Sequence, residues 1–222
     1  MRTTVWFVRA GQSQHNQQRR FQGQTDSPLT TLGIAQAQAV VVQLQRQAIT
    51  ALYVAPQQST LQSAVYLAQA RNLVPHPDAA WADQQLGAVS GLTRREALAQ
   101  HPAVMRMRMY DPVNTRTIGT ESIADVSQRC LAVWQHLLTT HRGQRIAVVT
   151  QALPIQLILC AILGTPLAKW WTWRIDYGSV TGIDVYGDTI IMRCINQTMR
   201  LTRDDIDAAR QSAQGTASEE QV

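Results

Sequence analysis

The chain has 222 residues, of which 45% are hydrophobic and 16% are charged, and its formal net charge is +5. This length and balance predict one globular domain with a full core. No apolar run reaches the ~20 residues of a membrane-spanning helix. Met1 leads directly into a strand-like segment without a signal-peptide pattern. We therefore expect a cytoplasmic protein that does not enter the membrane.

The charges and cysteines favour neither a nucleic-acid interface nor a metal site. Basic residues are scattered and lack interleaved aromatic residues, so solvated helix faces explain them better than nucleic-acid binding. Their densest group is Arg94, Arg95, Arg106 and Arg108. The cysteines have no zinc-site or disulfide spacing, so we expect buried, reduced thiols and neither a metal nor a cofactor. They are Cys130, Cys160 and Cys194.

Apolar runs alternate with segments of helical periodicity along most of the chain. The prediction in chain order is strand 5–8, helix 30–47, strand 51–54, helix 58–71, helix 122–142, strand 145–150, helix 154–163 and strands 179–186 and 189–195. Thr30 or Thr31 is the expected N-cap of the first helix, and Gly143 and Gly164 follow two later ones. Gly187-Asp188 between the last two strands indicates a hairpin.

This alternation predicts an α/β fold, a three-layer α/β/α sandwich with a mostly parallel central sheet. The closing hairpin adds antiparallel strands at one edge. We expect one domain over residues 1–205, with a small helical cap insertion at about 92–118. The tail from Arg203 to Val222 is polar, and we expect it to be helical at first and then disordered, with residues 206–222 outside the domain.

The segment after the first strand carries the most specific motif, because ligands in such sheets bind beyond the carboxyl ends of the strands. Residues 7–16 read FVRAGQSQHN and residues 19–30 read RRFQGQTDSPLT. This resembles the histidine phosphatase signature, in which Arg-His-Gly-Glu-Thr precedes Asn, Gln-Gly and Asp-x-Pro-Leu-Thr. Further blocks at 55–64, 83–91, 119–122 and 148–152 are similar to the family's in the same order. The resemblance covers roughly residues 3–200 and implies a phosphoglycerate mutase-like fold.

The resemblance also shows what the pocket lacks. The family uses a histidine nucleophile, a second histidine, two arginines and a carboxylic acid. The corresponding positions hold Ala10, Gln151 and Ser59 in place of the two histidines and one arginine, whereas Arg9 remains and Asp83 stands at the acid position. Losing a covalent nucleophile costs on the order of a million-fold in turnover. We therefore expect no phosphohistidine chemistry.

The replacements are polar, which indicates that the pocket retains a ligand less charged than a phosphate ester. The residues expected to bind it are Arg9, Gln12, Ser13, Asn16, Gln22, Gly23, Ser59, Asp83, Thr150 and Gln151. Arg9 has two open interpretations: it binds an anion, or it pairs with a carboxylate such as Asp83. We expect Glu121 to support the first turn of the next helix. The candidates for an apolar lid, against the alternative of a packed cap helix, are Trp81, Met105, Met107, Met109 and Tyr110.

Two functions remain open at this point. The first is a pseudoenzyme that binds a small molecule or a protein partner, with a homodimer as a further option. The second is a repurposed enzyme that performs proton transfer, isomerisation or cyclisation on a weakly charged organic substrate. Its catalytic candidates are Asp83, Arg9, His15 and Gln151. A closed pocket that raises the pKa of Asp83 by desolvation favours the second, whereas an open, shallow and wet pocket favours the first. An engineered Ala10 is a third option, which Gln151 and Ser59 disfavour.

Overall fold

The structure, a computed structural model, describes residues 1–219 and the side chains of residues 1–211. Its strands are β1 (Thr3–Arg9), β2 (Ala51–Val54), β3 (Pro75–Pro77), β4 (Arg145–Thr150), β5 (Val180–Tyr186) and β6 (Thr189–Gln197). Its helices are α1 (Gln14–Gln17), α2 (Thr31–Gln43), α3 (Gln58–Arg71), α4 (Arg94–Gln100), α5 (Pro102–Tyr110), α6 (Ile123–Thr140), α7 (Ala152–Leu163) and α8 (Arg203–Glu219). Short 3₁₀ turns lie at Ala79–Trp81, Gly87–Val89 and Leu167–Thr172.

One six-stranded sheet of order β3-β2-β4-β1-β5-β6 organises the fold. The first four of these strands run parallel, and the β5–β6 hairpin joins β1 in antiparallel orientation. Arg9 pairs with Thr150 at the carboxyl ends of β1 and β4. The segments that leave these two strands therefore begin side by side, as the predicted α/β fold requires.

Helices cover both faces of the sheet. On β1, Val5 and Phe7 point into one core with α6 and α7, whereas Trp6 and Val8 point into a second core with α2 and α3. This division follows from the alternation of side chains along a strand. Both faces of the central strands are buried, which explains their continuous apolar sequence.

Local signals place most helix ends. Thr30 accepts a hydrogen bond from the Gly33 N–H, and Ser122 forms a capping box with Asp125. Gly164 ends α7 in the left-handed conformation, with φ of 67°. Helix α2 ends at Gln43 rather than at residue 47, because the last residues of the predicted helix form a turn instead.

Two glycines allow the loop after β1 to lie directly on α2. A Cβ atom on Gly11 would lie 2.1 Å from the Gly33 carbonyl oxygen, and one on Gly33 would lie 2.1 Å from the Gln12 carbonyl oxygen. Neither backbone atom can move away cheaply, so any side chain at these positions displaces the loop.

The segment after α3 differs from the prediction, and the C-terminal tail adds a helix to the fold. The prolines after α3 form a short edge strand, β3, since an edge tolerates the missing N–H groups. The polar tail begins as α8 at Arg203, as the expected initial helix requires, and α8 continues to Glu219, while residues 220–222 lie outside the described part. The disorder expected further along the tail stays a prediction. Thr202 and Asp205 exchange capping hydrogen bonds at the start of α8, and Ala209 is buried. Among residues 1–219, no helix combines the length and hydrophobicity needed to cross a bilayer.

Candidate functional site

A cavity of about 510 Å³ opens beyond the carboxyl ends of β1 and β4. The predicted site residues on its wall are Arg9, Asn16, Gln22, Gly23, Asp83 and Gln151. Gly23 is required by close packing as well as by its φ of +55°, because a Cβ atom there would lie 2.6 Å from the Gln84 carbonyl oxygen. The structure thus brings together residues from four separate sequence blocks.

Four other predicted ligand-binding residues lie behind this wall and do not line the cavity: Gln12, Ser13, Ser59 and Thr150. The Gln12 side chain accepts a hydrogen bond from the Thr30 hydroxyl at 3.1 Å. The Thr150 hydroxyl donates to the Trp81 carbonyl oxygen at 2.5 Å. Both side chains therefore form hydrogen bonds within the protein. Their contact with a ligand remains a prediction.

At the base of the cavity, two neutral wall residues, Gln22 and Gln151, hydrogen-bond with two neutral residues behind the wall, Ser13 and Ser59. The Ser13 hydroxyl donates to Gln22 Oε1 at 2.6 Å, and Gln22 Nε2 donates to the Ser59 hydroxyl at 3.3 Å. Gln151 Nε2 donates to the same hydroxyl at 3.0 Å. We call these four residues the amide network. The positions at which the family has a histidine and an arginine thus contact each other directly and carry no charge.

Arg9 is held by an aromatic ring and a carbonyl group rather than by an ion pair. Its guanidinium carbon lies 3.7 Å from the centre of the Tyr177 ring, and Nη1 donates to the Ile175 carbonyl oxygen. Nε is buried without a hydrogen-bond partner among the described residues. Burial lowers the pKa of Arg9, while Tyr177 and the charge of Asp83 act in the opposite direction. The predicted pairing with Asp83 is thus limited to longer-range attraction.

Asp83 is the acid of this site. Its Oδ1 accepts a hydrogen bond from the Gln84 N–H at 2.7 Å. Desolvation by burial raises the pKa of Asp83 from 3.8 to about 6, although the Gln84 hydrogen bond and the cations Arg9 and Arg129 oppose this shift. The nearby carboxylate of Glu121 raises it further. A carboxyl group with such a pKa can exchange a proton near neutral pH.

Arg129 fixes the segment that carries Asp83, a role that the sequence interpretation missed. Its guanidinium donates to the Ala82 carbonyl oxygen at 2.7 Å and to that of Asp83 at 2.8 Å, and it pairs with Glu121 at 2.8 Å. Glu121 therefore anchors Arg129, and the first-turn role expected of it belongs to Asp125. The sequence does contain a signal for this role of Arg129.

That signal is a cation on an apolar stripe. Arg129 occupies the helical face of α6 that Val126, Cys130 and Val133 otherwise fill with buried apolar groups. Such a position demands partners for the guanidinium, and here they are the carbonyl groups of the Asp83 segment.

A second missed arginine comes from the cap. Arg108 on α5 lines the cavity, and its Nη2 donates to Gln84 Oε1 at 2.8 Å. Burial lowers the pKa of Arg108, and the charge of Asp83 opposes this. We predicted a solvated helix face here, which holds for Arg106 but is wrong for Arg108. The spacing from buried Met105, three residues earlier, places Arg108 on the inward face.

The apolar wall of the cavity consists of residues other than the predicted lid. Trp81 is completely buried in the core against Phe7, with ring centres 5.5 Å apart, so its assignment as a lid residue was wrong. Met105 packs beneath the cap helices, and the remaining lid candidates, Met107, Met109 and Tyr110, are exposed. The cavity is instead lined by Phe21, Leu86, Pro112, Ile123, Leu153 and Trp170.

Two further features complete the site. The N-terminus of α7 reaches the cavity wall, and the side chain of its N-cap residue Gln151 forms no capping hydrogen bond. This end of the helix contributes partial positive charge. His15 does not line the cavity, and its backbone N–H donates to the Ser27 hydroxyl. The described geometry gives no support to His15 as a replacement base.

Comparison with known proteins gives a consistent result. Residues 5–198 match the family model described as the histidine phosphatase superfamily, branch 1. Phosphoserine phosphatase 1 of Hydrogenobacter thermophilus is 27% identical over 195 residues, or 88% of this chain and 92% of the relative. A probable phosphoglycerate mutase, GpmB, of Proteus mirabilis is 26% identical over 81% of this chain and 84% of its own. The solved structure of YhfR from Bacillus stearothermophilus superposes with a TM-score of 0.83 at 27% identity, over 89% of this chain and 98% of that one. The chain therefore belongs to the histidine phosphatase superfamily.

Proposed function

We propose that this protein is a histidine phosphatase-fold pseudoenzyme that binds a small molecule in the former catalytic pocket without phosphohistidine chemistry. One observation carries the proposal: residue 10, at the position of the family nucleophile, is an alanine and is completely buried at the carboxyl end of β1. A methyl group has no lone pair with which to attack phosphorus.

The amide network supports this proposal independently. A phosphoryl group in transfer needs cations and hydrogen-bond donors directed at its oxygens. Here Ser59 and Gln151 are neutral, and the amide of Gln151 donates to the Ser59 hydroxyl. Donors that already have protein partners must lose them before they can serve a phosphate, which offsets much of the gain.

The relatives are named as a phosphoserine phosphatase and a probable phosphoglycerate mutase, which act on phosphate esters. This chain departs from the family motif at three of the positions that touch the phosphoryl group. We therefore transfer the fold and the pocket from these relatives, and not their reaction. A cytoplasmic location and the possible homodimer or protein partner remain predictions.

The test is hydrolysis of 4-nitrophenyl phosphate and of phosphoserine by the purified protein. The Hydrogenobacter phosphatase, assayed in parallel, is the positive control. We expect no turnover above that of heat-denatured protein. Turnover within the ordinary enzyme range of about 1–1,000 per second would contradict the proposal.

One observation favours the second candidate, a repurposed enzyme. Burial raises the pKa of Asp83 to about 6, and Asp83 lies on the cavity wall. Perturbed carboxyl groups in clefts are frequent at catalytic sites. If Asp83 acts as a base in a non-phosphoryl reaction, the rate rises with pH through about 6 and is abolished in Asp83→Asn. A pH-independent rate, or one retained by the variant, would exclude this role.

A further inference from the structure

The cavity presents positive charge that no protein carboxylate neutralises by direct contact. Among the ion pairs of residues 1–211, none includes Arg9 or Arg108, whereas the third arginine on the wall, Arg20, pairs with Glu96 at 2.8 Å. Arg108 bonds only to a neutral amide, that of Gln84. Among the residues that the structure describes, Asp83 is the single acid on the wall. Two cations against one carboxylate leave an excess of one positive charge, to which the N-terminus of α7 adds.

Two fully buried polar atoms of the wall residues lack a hydrogen-bond partner among the described residues, and both are donors. Arg9 Nε and Trp170 Nε1 are buried without hydrogen-bond partners among the described residues, and both side chains line the cavity. A buried donor left without an acceptor costs about 1–3 kcal/mol. Such donors point to a ligand that supplies acceptor oxygens.

The remainder of the wall is apolar. Phe21, Leu86 and Leu153 line it together with Trp170. Burying the hydrocarbon part of a ligand here releases water from these side chains and favours binding by roughly 25 cal/mol per Å². The site therefore matches a molecule with one charged end and an apolar body.

We propose that the pocket binds an amphiphilic organic monocarboxylate, with its carboxylate on Arg9 and Arg108 and its apolar part against Phe21, Leu153 and Trp170. This assignment rests on the proposed ligand-binding function and names its ligand class. A monocarboxylate neutralises the excess charge. A phosphate dianion would leave one negative charge uncompensated in a partly desolvated cavity, which is costly.

The test uses three ligands that share a phenyl ring, two of them matched in shape, and measures their dissociation constants by calorimetry. They are 4-phenylbutanoate, its uncharged analogue 4-phenylbutanamide, and phenyl phosphate. The wild-type protein is expected to bind the carboxylate about tenfold or more tightly than the amide, since charge-assisted hydrogen bonds are the stronger ones. Phenyl phosphate is expected to bind more weakly than the carboxylate.

A pair of variants on the same helix locates the contact. Arg108→Gln is expected to weaken carboxylate binding about tenfold or more and to leave amide binding unchanged. Arg106→Gln removes the same charge from an exposed position of α5 and is expected to change neither. The circular dichroism of both variants checks that the cap is folded.

Three results would overturn the inference: equal binding of amide and carboxylate, tightest binding of phenyl phosphate, or no binding of 4-phenylbutanoate at millimolar concentration. Equal effects of the two arginine variants would show that only long-range charge matters and would overturn the direct contact. None of these binding results bears on whether the protein hydrolyses phosphate esters. Conversely, turnover of phosphate esters would contradict the pseudoenzyme proposal but would leave the carboxylate site standing. The two proposals therefore fail separately.

Discussion

The base and the wall of the cavity differ in charge. At the base, the amide network joins neutral side chains, among them Ser59 and Gln151 at positions where the family has charged or ionisable groups. On the wall, Asp83 and Arg108 remain charged, and Arg129 pairs with Glu121 behind them. This contrast is what the proposed function requires, namely a base without phosphohistidine chemistry and a wall that binds a molecule.

The largest expected effect is on the free energy of unfolding and comes from removing Arg129, which holds the segment of the wall that carries Asp83. Arg129→Ala removes the partner of Glu121 and the donors to the carbonyl groups of Ala82 and Asp83. We expect a loss of about 2–4 kcal/mol in the free energy of unfolding, because a partly buried carboxylate is left unpaired. Urea denaturation of the variant and the wild type measures this loss.

The control for this variant is Arg142→Ala, an exposed arginine that forms no ion pair with the described side chains. Its free energy of unfolding should change by less than about 0.5 kcal/mol. Equal losses in the two variants would mean that Arg129 does not hold the wall.

The next largest effect on the free energy of unfolding comes from removing the negative charge of Asp83 on the wall. The pKa of Asp83 in the folded state, about 6, lies above its ordinary value of 3.8, so the folded protein binds the proton more tightly than the unfolded chain. The stability contributed by this group is present below pH 4 and is lost as the pH rises through about 6. Asp83→Asn removes the charge and should raise the free energy of unfolding at neutral pH by up to about 3 kcal/mol.

Thermal denaturation of both proteins across this pH range measures the effect. The difference between variant and wild type should vanish below about pH 4. Asp188→Asn, in the exposed turn between β5 and β6, is the control that removes the same charge from the surface. If Asp83→Asn is instead less stable than the wild type at neutral pH, the attraction between the carboxylate and its neighbouring cations outweighs the cost of burying its charge.

A smaller effect is expected at the base. Ser59→Ala removes the acceptor shared by the amides of Gln22 and Gln151. Two buried donors then lose a partner, so the free energy of unfolding should fall by about 1–3 kcal/mol. Ser90→Ala, whose hydroxyl forms no hydrogen bond with the described chain, is the matched control and should be nearly neutral. A neutral Ser59→Ala would show that the amide network contributes no stability.

The smallest expected change is in activity. Ala10→His restores the family nucleophile but leaves Ser59 and Gln151 neutral, so the transferring group still lacks balancing charge. We expect no hydrolysis of 4-nitrophenyl phosphate above the wild-type level. Ala10 is completely buried, so unfolding measurements must accompany the assay. Burst formation of a phosphorylated protein would show that the base remains competent.

The sequence was sufficient for most of the fold because the relevant signals are local. Strands β2 and β4 and helix α3 have the predicted bounds, since short apolar runs, a left-handed cap at Asn72 and flanking loops define them. The initial helix of the C-terminal tail was expected, although the polar composition did not reveal its capped start at Thr202 or the buried contact of Ala209.

The candidate site was only partly predictable. Arg9, Asp83 and Gln151 follow strand ends or family blocks, so their position on one wall could be expected. Arg108 and Arg129 reach the site by long side chains from helices distant in sequence, and only their spacing from buried neighbours reveals the direction. Trp81 was misassigned because proximity in sequence to Asp83 does not reveal that its ring enters the core.

The position of β1 has a consequence for synthesis on the ribosome. Its two neighbours in the sheet, β4 and β5, both come from the second half of the chain. At the usual elongation rate of about 5–20 residues per second, β1 waits on the order of ten seconds before either strand exists. During that interval the apolar residues Val5 and Phe7 are without their sheet partners and invite aggregation. The N-terminal strand therefore completes its pairing only after most of the chain has been synthesised.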